Sequence, residues 1–330
     1  MKRFINASIG PLVIVLMFIA ARMLFPNKMT FIIEIAIFSI YVMGNNILYG
    51  YLGMVSFGQP FYLGVGAYAT AIYLAHVGTN PLIGLAVALI AGLVIGLILG
   101  PAFVRLRGDY FALINAAISA IGLFTIETLL LPITRGDDGL WYRSRMSEIP
   151  FLDIRIPDKF FIFALSIFLI VLILYNFMDG SLLGKSFRAI KDKESKMRFL
   201  GYDTHKIKVI GFTLASILSA LSGALYAINF GFVNPSLAET HRAVEVLVAT
   251  LIGGAGTVFG PLFGTLAFLG IKDLVSNYIA HWELVVGILT MFVLFRFSKG
   301  IWGNAEVFID ARFGRSKRLL ETLPADKESS

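Results

Sequence analysis

An all-α, polytopic membrane protein is the fold class this sequence predicts, and three observations predict it. Of its 330 residues, 57% are hydrophobic and only 15% charged, against about a quarter charged in soluble domains. The apolar residues fall in runs near the length at which a helix crosses the hydrocarbon core. Lys and Arg gather at the ends of those runs, so the net charge of +7 fixes orientation and is no nucleic-acid signal. So many runs in 330 residues leave room for one membrane domain, 1–330, with short loops. The absence of Cys excludes disulfides and thiolate metal sites.

The first run, 9–25, follows Lys2 and Arg3 and carries Arg22 near its far end. Ala20 and Ala21 give it a signal-peptide look, but further spans follow and a retained first span is preferred. The second, 30–49, returns inward with Glu34 near its outer end. An intramembrane carboxylate is a functional candidate; the plainer expectation is an ion pair with Arg22 across the short hairpin. Residues 57–77 lead out and 82–104 lead back, with Gly84, Ala88, Gly92, Gly96 and Gly100 at every fourth position. Such a stripe lets a second backbone approach closely in lipid, where packing joins helices. After a tight turn at 105–110, a fifth span runs over 111–133. The external loop 134–159 follows, with turn signals at Gly136, Gly139, Pro150 and Pro157. Span six is 160–178. Span seven, 209–229, carries two small-residue rows, Ser216, Ala220, Ala224 and Ser219, Gly223, Ala227.

Between spans six and seven lies the charged segment 179–208, with eight Lys or Arg, which the positive-inside bias places in the cytoplasm. Phe187, Ile190, Met197 and Leu200 recur on one side at helical spacing, predicting a basic amphipathic helix over 185–200. From the residues alone it either rests on lipid headgroups or sets its apolar ridge into a groove on a soluble partner. Its GSLLGKS run, 180–186, has three residues between the glycines where a phosphate loop needs four. Gly180 and Gly184 are therefore read as helix-entry punctuation.

The apolar stretch 243–271 is broken by Gly253, Gly254, Gly256 and Gly260. If it crossed once, the last span, 284–297, would leave the basic tail 299–330 outside. Read as a re-entrant hairpin of two short helices, it leaves both termini in the cytoplasm with 19 of 28 Lys and Arg on that side: two at the start, two in the 105–107 turn, eight in the charged segment and seven from Arg296 on. The expectation is eight full spans plus the hairpin, whose open backbone must be buried in protein or line a wet cavity.

No enzyme constellation appears. His76, His205, His241 and His281 are scattered without metal-ligand spacing, and no nucleophile elbow or dinucleotide fingerprint is present. No catalytic residue and no metal site is therefore predicted. The spans hold polar, mostly uncharged side chains in their inner halves: Asn45, Asn46, Ser56, Gln59, Asn115 and Ser119. Residue by residue these read as helix caps or interhelical bonds. Together they suit the route of a small polar or zwitterionic solute better than a proton relay, which wants carboxylates in series.

Five stretches carry a family resemblance: NILYGYLGMVSFGQPFYLGVGAYATA from Asn46, RLRGDYFA from Arg105, the TxGxxG pattern at Thr134, Gly136 and Gly139, the run from Glu194 to Gly201, and EVLVATLIGGAGTVFGPLFG from Glu245. In this order they resemble the permease subunit of branched-chain amino acid ABC importers, of the LivM type. The resemblance implies that 179–208 is a cytoplasmic coupling helix docking on an ATPase subunit. Phe187, Ile190, Met197 and Leu200 would form the ridge, with Glu194 and Gly201 at the family's Glu and Gly. Ser195 and Lys196 stand where the family has a small Ala pair. It also implies a multi-pass chain in the cell inner membrane and, as partners, a second related permease, two cytosolic ATPases and an extracytoplasmic solute-binding protein met by the outer loops. The chain itself would bind no cofactor, with ATP and magnesium on the partners. An ion-coupled secondary carrier and a structural or regulatory membrane subunit are the alternatives.

Overall fold

The computed structural model of the chain describes residues 2–106, 108–147, 156–276, 278, 284–285, 287–288, 291 and 300–304. Its helices are α1 (Lys2–Leu24), α2 (Met29–Asn46), α3 (Gln59–Ile72), α4 (Pro81–Phe103), α5 (Asp109–Phe124), the single turn α6 (Leu131–Thr134), α7 (Pro157–Gly180), α8 (Leu182–Phe199), α9 (Thr204–Phe230), α10 (His241–Gly253) and α11 (Gly260–Ser276). Helices α2, α3 and α5 each run on into a five-residue π turn, Ile47–Tyr51, Tyr73–Val77 and Thr125–Leu129. Among the described residues, five stretches are long and apolar enough to cross a membrane: Pro26–Tyr51, Pro81–Phe103, Asp109–Leu129, Pro157–Gly180 and Thr204–Phe230. The protein is an all-α polytopic membrane protein. Most of the expected last span 284–297, and 299 and 305–330 of the expected tail, lie outside the described residues.

Helix α2 is hydrophobic all round and sits at the centre, as such a helix must. It packs on α7, α9, α10 and α11, with Ile40, Tyr41, Val42 and Met43 fully buried. Helix α4 does the opposite. Its glycine stripe is buried while Ile83, Ile90, Val94, Leu97 and Ile98 on the other side are exposed, the surface lipid covers.

The stripe meets α9, as its spacing predicts. A Cβ built on Gly92 would stand 2.7 Å from Ala220 Cβ, and one on Gly96 3.0 Å from Thr213 Cα. The Ser216 hydroxyl donates to the Gly92 carbonyl at 2.8 Å. Helix α3 closes on α9 from another side, where a Cβ on Gly66 would run into the Ala220 backbone and one on Gly223 into that of Leu63. The small rows of α9 thus serve two neighbours, bringing α3 and α4 close enough for dispersion contact along their length.

Three expectations need correction or addition. Arg22 does not pair with Glu34; its Nη2 donates to Asp158 of α7 at 3.0 Å and its guanidinium lies over the Phe161 ring. Helix α1 packs along α7, Phe18 on Phe168 at 5.6 Å, which turns that guanidinium toward the start of α7. The helix expected over 185–200 begins earlier and is broken at Lys193, where φ is −161° and ψ 88°. Finally, a two-residue antiparallel bridge joins the two loops at the far end from α8: Leu140–Trp141 (β1) pairs with Phe232–Val233 (β2). Trp141 packs on Phe232 at 4.2 Å, and the Tyr142 hydroxyl donates to the Ala227 carbonyl at 2.7 Å.

Candidate functional site

The charged segment and the break of the hairpin meet at the same end of α2, and the candidate site is built there. Ser181 opens α8: its Oγ accepts from the Gly184 amide at 3.4 Å and donates to the Met178 carbonyl at 2.7 Å, an N-cap for the first turn. A Cβ on Gly184 would strike the Met178 carbonyl. GSLLGKS is therefore a tight helix entry.

The expected docking ridge divides. Phe187, Ile190 and Met197 are buried inside the chain, 0%, 4% and 8% exposed, whereas Leu200 is 72% exposed. Phe187 packs beside Gly211 of α9. An amphipathic pattern reports that an apolar face is covered, not by what, and here this chain's own α9 and α2 end cover most of it. The exposed apolar side chains of the segment are Leu182 (70%), Phe199 (92%), Leu200 and Tyr202 (43%).

Beyond the break at Lys193, Glu194 ties the segment to α9. Its Oε2 accepts from Lys208 Nζ at 2.6 Å, and its Oε1 from Arg198 Nη2 at 2.6 Å and Thr204 Oγ1 at 3.2 Å. Burial pushes the Glu194 carboxyl up, but the hydrogen bonds and charges of Lys208 and Arg198 outweigh it and hold the group below its ordinary value. Gly201, at φ +83°, ends the helix. The Tyr202 amide reaches back to the Met197 carbonyl and the Gly201 amide to that of Arg198, the paired C-terminal bonds a left-handed glycine allows. Asp203 then caps α9, its Oδ1 accepting from the Lys206 amide at 3.1 Å. That bond holds the Asp203 carboxyl below its ordinary value.

On the other side of α2 lies the hairpin, α10 and α11 turning at Gly254–Phe259. A Cβ on Gly253 would collide with the Gly260 carbonyl, and Gly254 and Gly256 hold φ of +114° and +81°; these glycines make the turn possible. Away from the break, Glu245 accepts from Arg242 at 3.0 Å and from Lys272 at 2.8 Å, joining α10 to α11. Trp302 stacks on Phe263 at 4.6 Å, and Gly300 lies against Gly254.

All six polar candidates are fully buried, and they fall in two groups. Asn45 donates to Thr250 of α10 at 2.8 Å. Asn46 holds the hairpin break: its Oδ1 accepts from the Gly256 amide at 2.8 Å, and its Nδ2 donates to the Thr257 carbonyl at 3.0 Å and to Tyr175 OH at 2.8 Å. The second group gathers around α3. Ser56 Oγ accepts from the Gly58 amide just before it. Gln59 Oε1 accepts from Ser219 at 2.6 Å, Asn115 Nδ2 donates to its own helix at Phe111, and Ser119 donates to Ala238 at 3.2 Å. Gln59 Nε2 and Asn115 Oδ1 find no partner among the described residues. A cavity of about 100 Å³ lies at the opposite end, between Thr30, Phe160 and Asn229, and touches none of the six. Among the described residues no three His, Asp or Glu side chains come together as a metal site.

Sequence reasoning missed Tyr51, Tyr175, Asp179, Arg188 and Lys191. Tyr51 OH donates to Asp179 Oδ1 at 2.6 Å, Arg188 pairs with the same oxygen and lies over the Tyr51 ring, and Lys191 Nζ donates to the Gly50 carbonyl at 2.8 Å.

The family described as "Branched-chain amino acid transport system / permease component" matches residues 28–294. The chain belongs to that family. The permease is 24% identical over 289 residues to the high-affinity branched-chain amino acid transport system permease protein LivM of Escherichia coli, covering 78% of this chain and 66% of that relative, just under two thirds of its length. It is 23% identical over 280 residues to the probable LivM of Methanocaldococcus jannaschii, covering 74% and 79%. To the LivH permease protein of Escherichia coli it is 24% identical over 292 residues, covering 82% of this chain and 92% of LivH. No solved structure matches the permease.

Proposed function

We propose that this permease is one membrane subunit of an ATP-driven importer that carries a small zwitterionic solute, a branched-chain or related amino acid, into the cytoplasm. The hydrolysing subunits, with their ATP and magnesium, are separate cytosolic partners. A second related permease completes the membrane body, and an extracytoplasmic binding protein delivers the solute to the bridged loops at the β1–β2 end. The observation that carries the reading is α8. A charged helix between two membrane spans is anchored by Phe187, Ile190 and Met197, yet leaves Phe199, Leu200 and Tyr202 uncovered at its end. Relatives named as both LivM and LivH permeases support a paired membrane body.

In this reading the docking contact is the exposed end of α8 and the turn at Gly201, and the buried residues transmit rather than dock. Closure of the ATPases would push that end. Because Glu194, Lys208 and Phe187 fix α8 to α9, the push reaches the spans as a shift between two packings. The test is copurification from native membranes. Wild-type chain should bring an ATPase with it; Phe199→Asp with Leu200→Asp should lose it while the chain stays folded. Retention of the ATPase by that variant would overturn this placement of the docking contact.

A further inference from the structure

Asn46 and the π turn after it lie between α8 and the hairpin break, in contact with both. On one side, Lys191 Nζ holds the Gly50 carbonyl, and Arg188 reaches Tyr51 through Asp179 and across its ring face, 4.9 Å from the centroid. On the other, the Asn46 amide takes the Gly256 N–H and the Thr257 carbonyl as a neighbouring strand would. The two grips are five residues apart or less, Asn46 just before the π turn and Gly50 and Tyr51 at its end. Tyr175 closes the circuit, its hydroxyl on Asn46 and its ring edge-on to Tyr51 at 5.8 Å. There is no slack in the junction: a Cβ on Gly50 would collide with both Asn46 Oδ1 and the Gly256 amide, and one on Gly53 would stand 3.0 Å from Lys191 Cγ. A π turn carries an extra residue that an α-helix can take up or release, and such turns are frequent at functional positions.

We infer that Asn46 is a positioning residue that makes α8 and the Gly254–Phe259 break one mechanical unit, so that a displacement of α8 is delivered to the hairpin through the Ile47–Tyr51 turn. This rests on the permease reading above only for what moves α8; the link itself is a property of this chain. The test therefore measures coupling between the two sites.

The sequence has no Cys, so a single Ala255→Cys in the half-buried break gives one thiol whose maleimide labelling rate reports the hairpin. The α8 grip is released with Lys191→Met plus Arg188→Met, which removes both contacts α8 makes with the turn, and labelling is read with Asn46 present and with Asn46→Ala. The inference expects the release to change the rate at least about fivefold in the Asn46 background and less than about twofold in Asn46→Ala, a non-additivity that independent sites do not give. Equal changes in both backgrounds, or no change in either, would overturn it. Should Asn46→Ala fail to fold, Asn46→Leu, which keeps the volume but not the two bonds to the break, replaces it under the same criterion. A second readout uses the chain purified with the subunits it assembles with. Asn46→Ala should cut solute uptake about tenfold while hydrolysis stays within about twofold; a parallel fall in both marks a merely structural residue and overturns the inference. Because the labelling needs no nucleotide, its failure leaves the permease reading standing, and a chain that transports without an ATPase leaves this link standing.

Discussion

Removing Glu194 should expose how α8 is held. Its partner Lys208 keeps only 8% of its side chain exposed, and Glu194 itself 21%. Deleting one member of a buried pair leaves the other charge uncompensated, at a cost of about 3–5 kcal/mol. Lys208 lies in the first turns of α9, where its stem can reach toward water, so the low end, about 3 kcal/mol, is expected for Glu194→Ala. The bond to Arg198 adds little, since that side chain is 53% exposed and exposed pairs contribute about 0–1 kcal/mol. The double variant Glu194→Ala with Lys208→Met removes the stranded charge and should return to within about 1 kcal/mol of the parent, as replaced buried pairs do. The assay is unfolding of the purified permease in detergent, followed by loss of helix signal against denaturant. A Glu194→Ala protein as stable as the parent, or a double variant worse than the single, would refute the reasoning.

Three further outcomes follow from the same geometry. The Glu194 carboxyl is held below its ordinary value, so its stabilising contribution is complete above the unfolded value of about 4.3 and is lost as pH falls through the folded one; the gap between parent and Glu194→Ala should narrow from about pH 5 downward, and a gap that widens there contradicts the assignment. Gly201 and Gly180 both have open space around a built Cβ, but only Gly201 has positive φ. Gly201→Ala should therefore cost about 1–2 kcal/mol and Gly180→Ala little, which equilibrium unfolding reads directly. Gly66→Leu and Gly223→Leu, against the backbones of α9 and α3, should lose about 1–3 kcal/mol or more from overpacking, while Gly270→Leu, with nothing within 4 Å, should behave as the parent.

Much of the frame was legible because its signals are periodic and local. The stripe from Gly84 to Gly100 and the rows on α9 pointed to close helix contacts, and they meet each other. The glycine cluster at 253–260 marked the hairpin turn, and the charge pattern marked α8. What the sequence could not carry is who covers whom. Phe187, Ile190 and Met197 read as a ridge for a partner because an inward and an outward apolar face have the same spacing. Arg22 was matched to Glu34, its near neighbour in sequence, whereas folding brings Asp158 to it from 136 residues away. Asn46 was singled out as polar and intramembrane, but its hold on Gly256 depends on a contact across 210 residues. Arg188 and Lys191 enter the sequence reading only as two of eight positive charges after a span, and Asp179 only as the first residue of that segment.

Transport by reconstituted vesicles tests the central claim most directly. The chain, with whatever subunits copurify with it, is placed in vesicles with a labelled branched-chain amino acid and the proposed binding protein outside. Uptake should occur with ATP and magnesium inside and stop without them, with no response to an imposed proton or sodium gradient. Uptake that follows such a gradient, with no hydrolysing subunit in the preparation, would contradict the account.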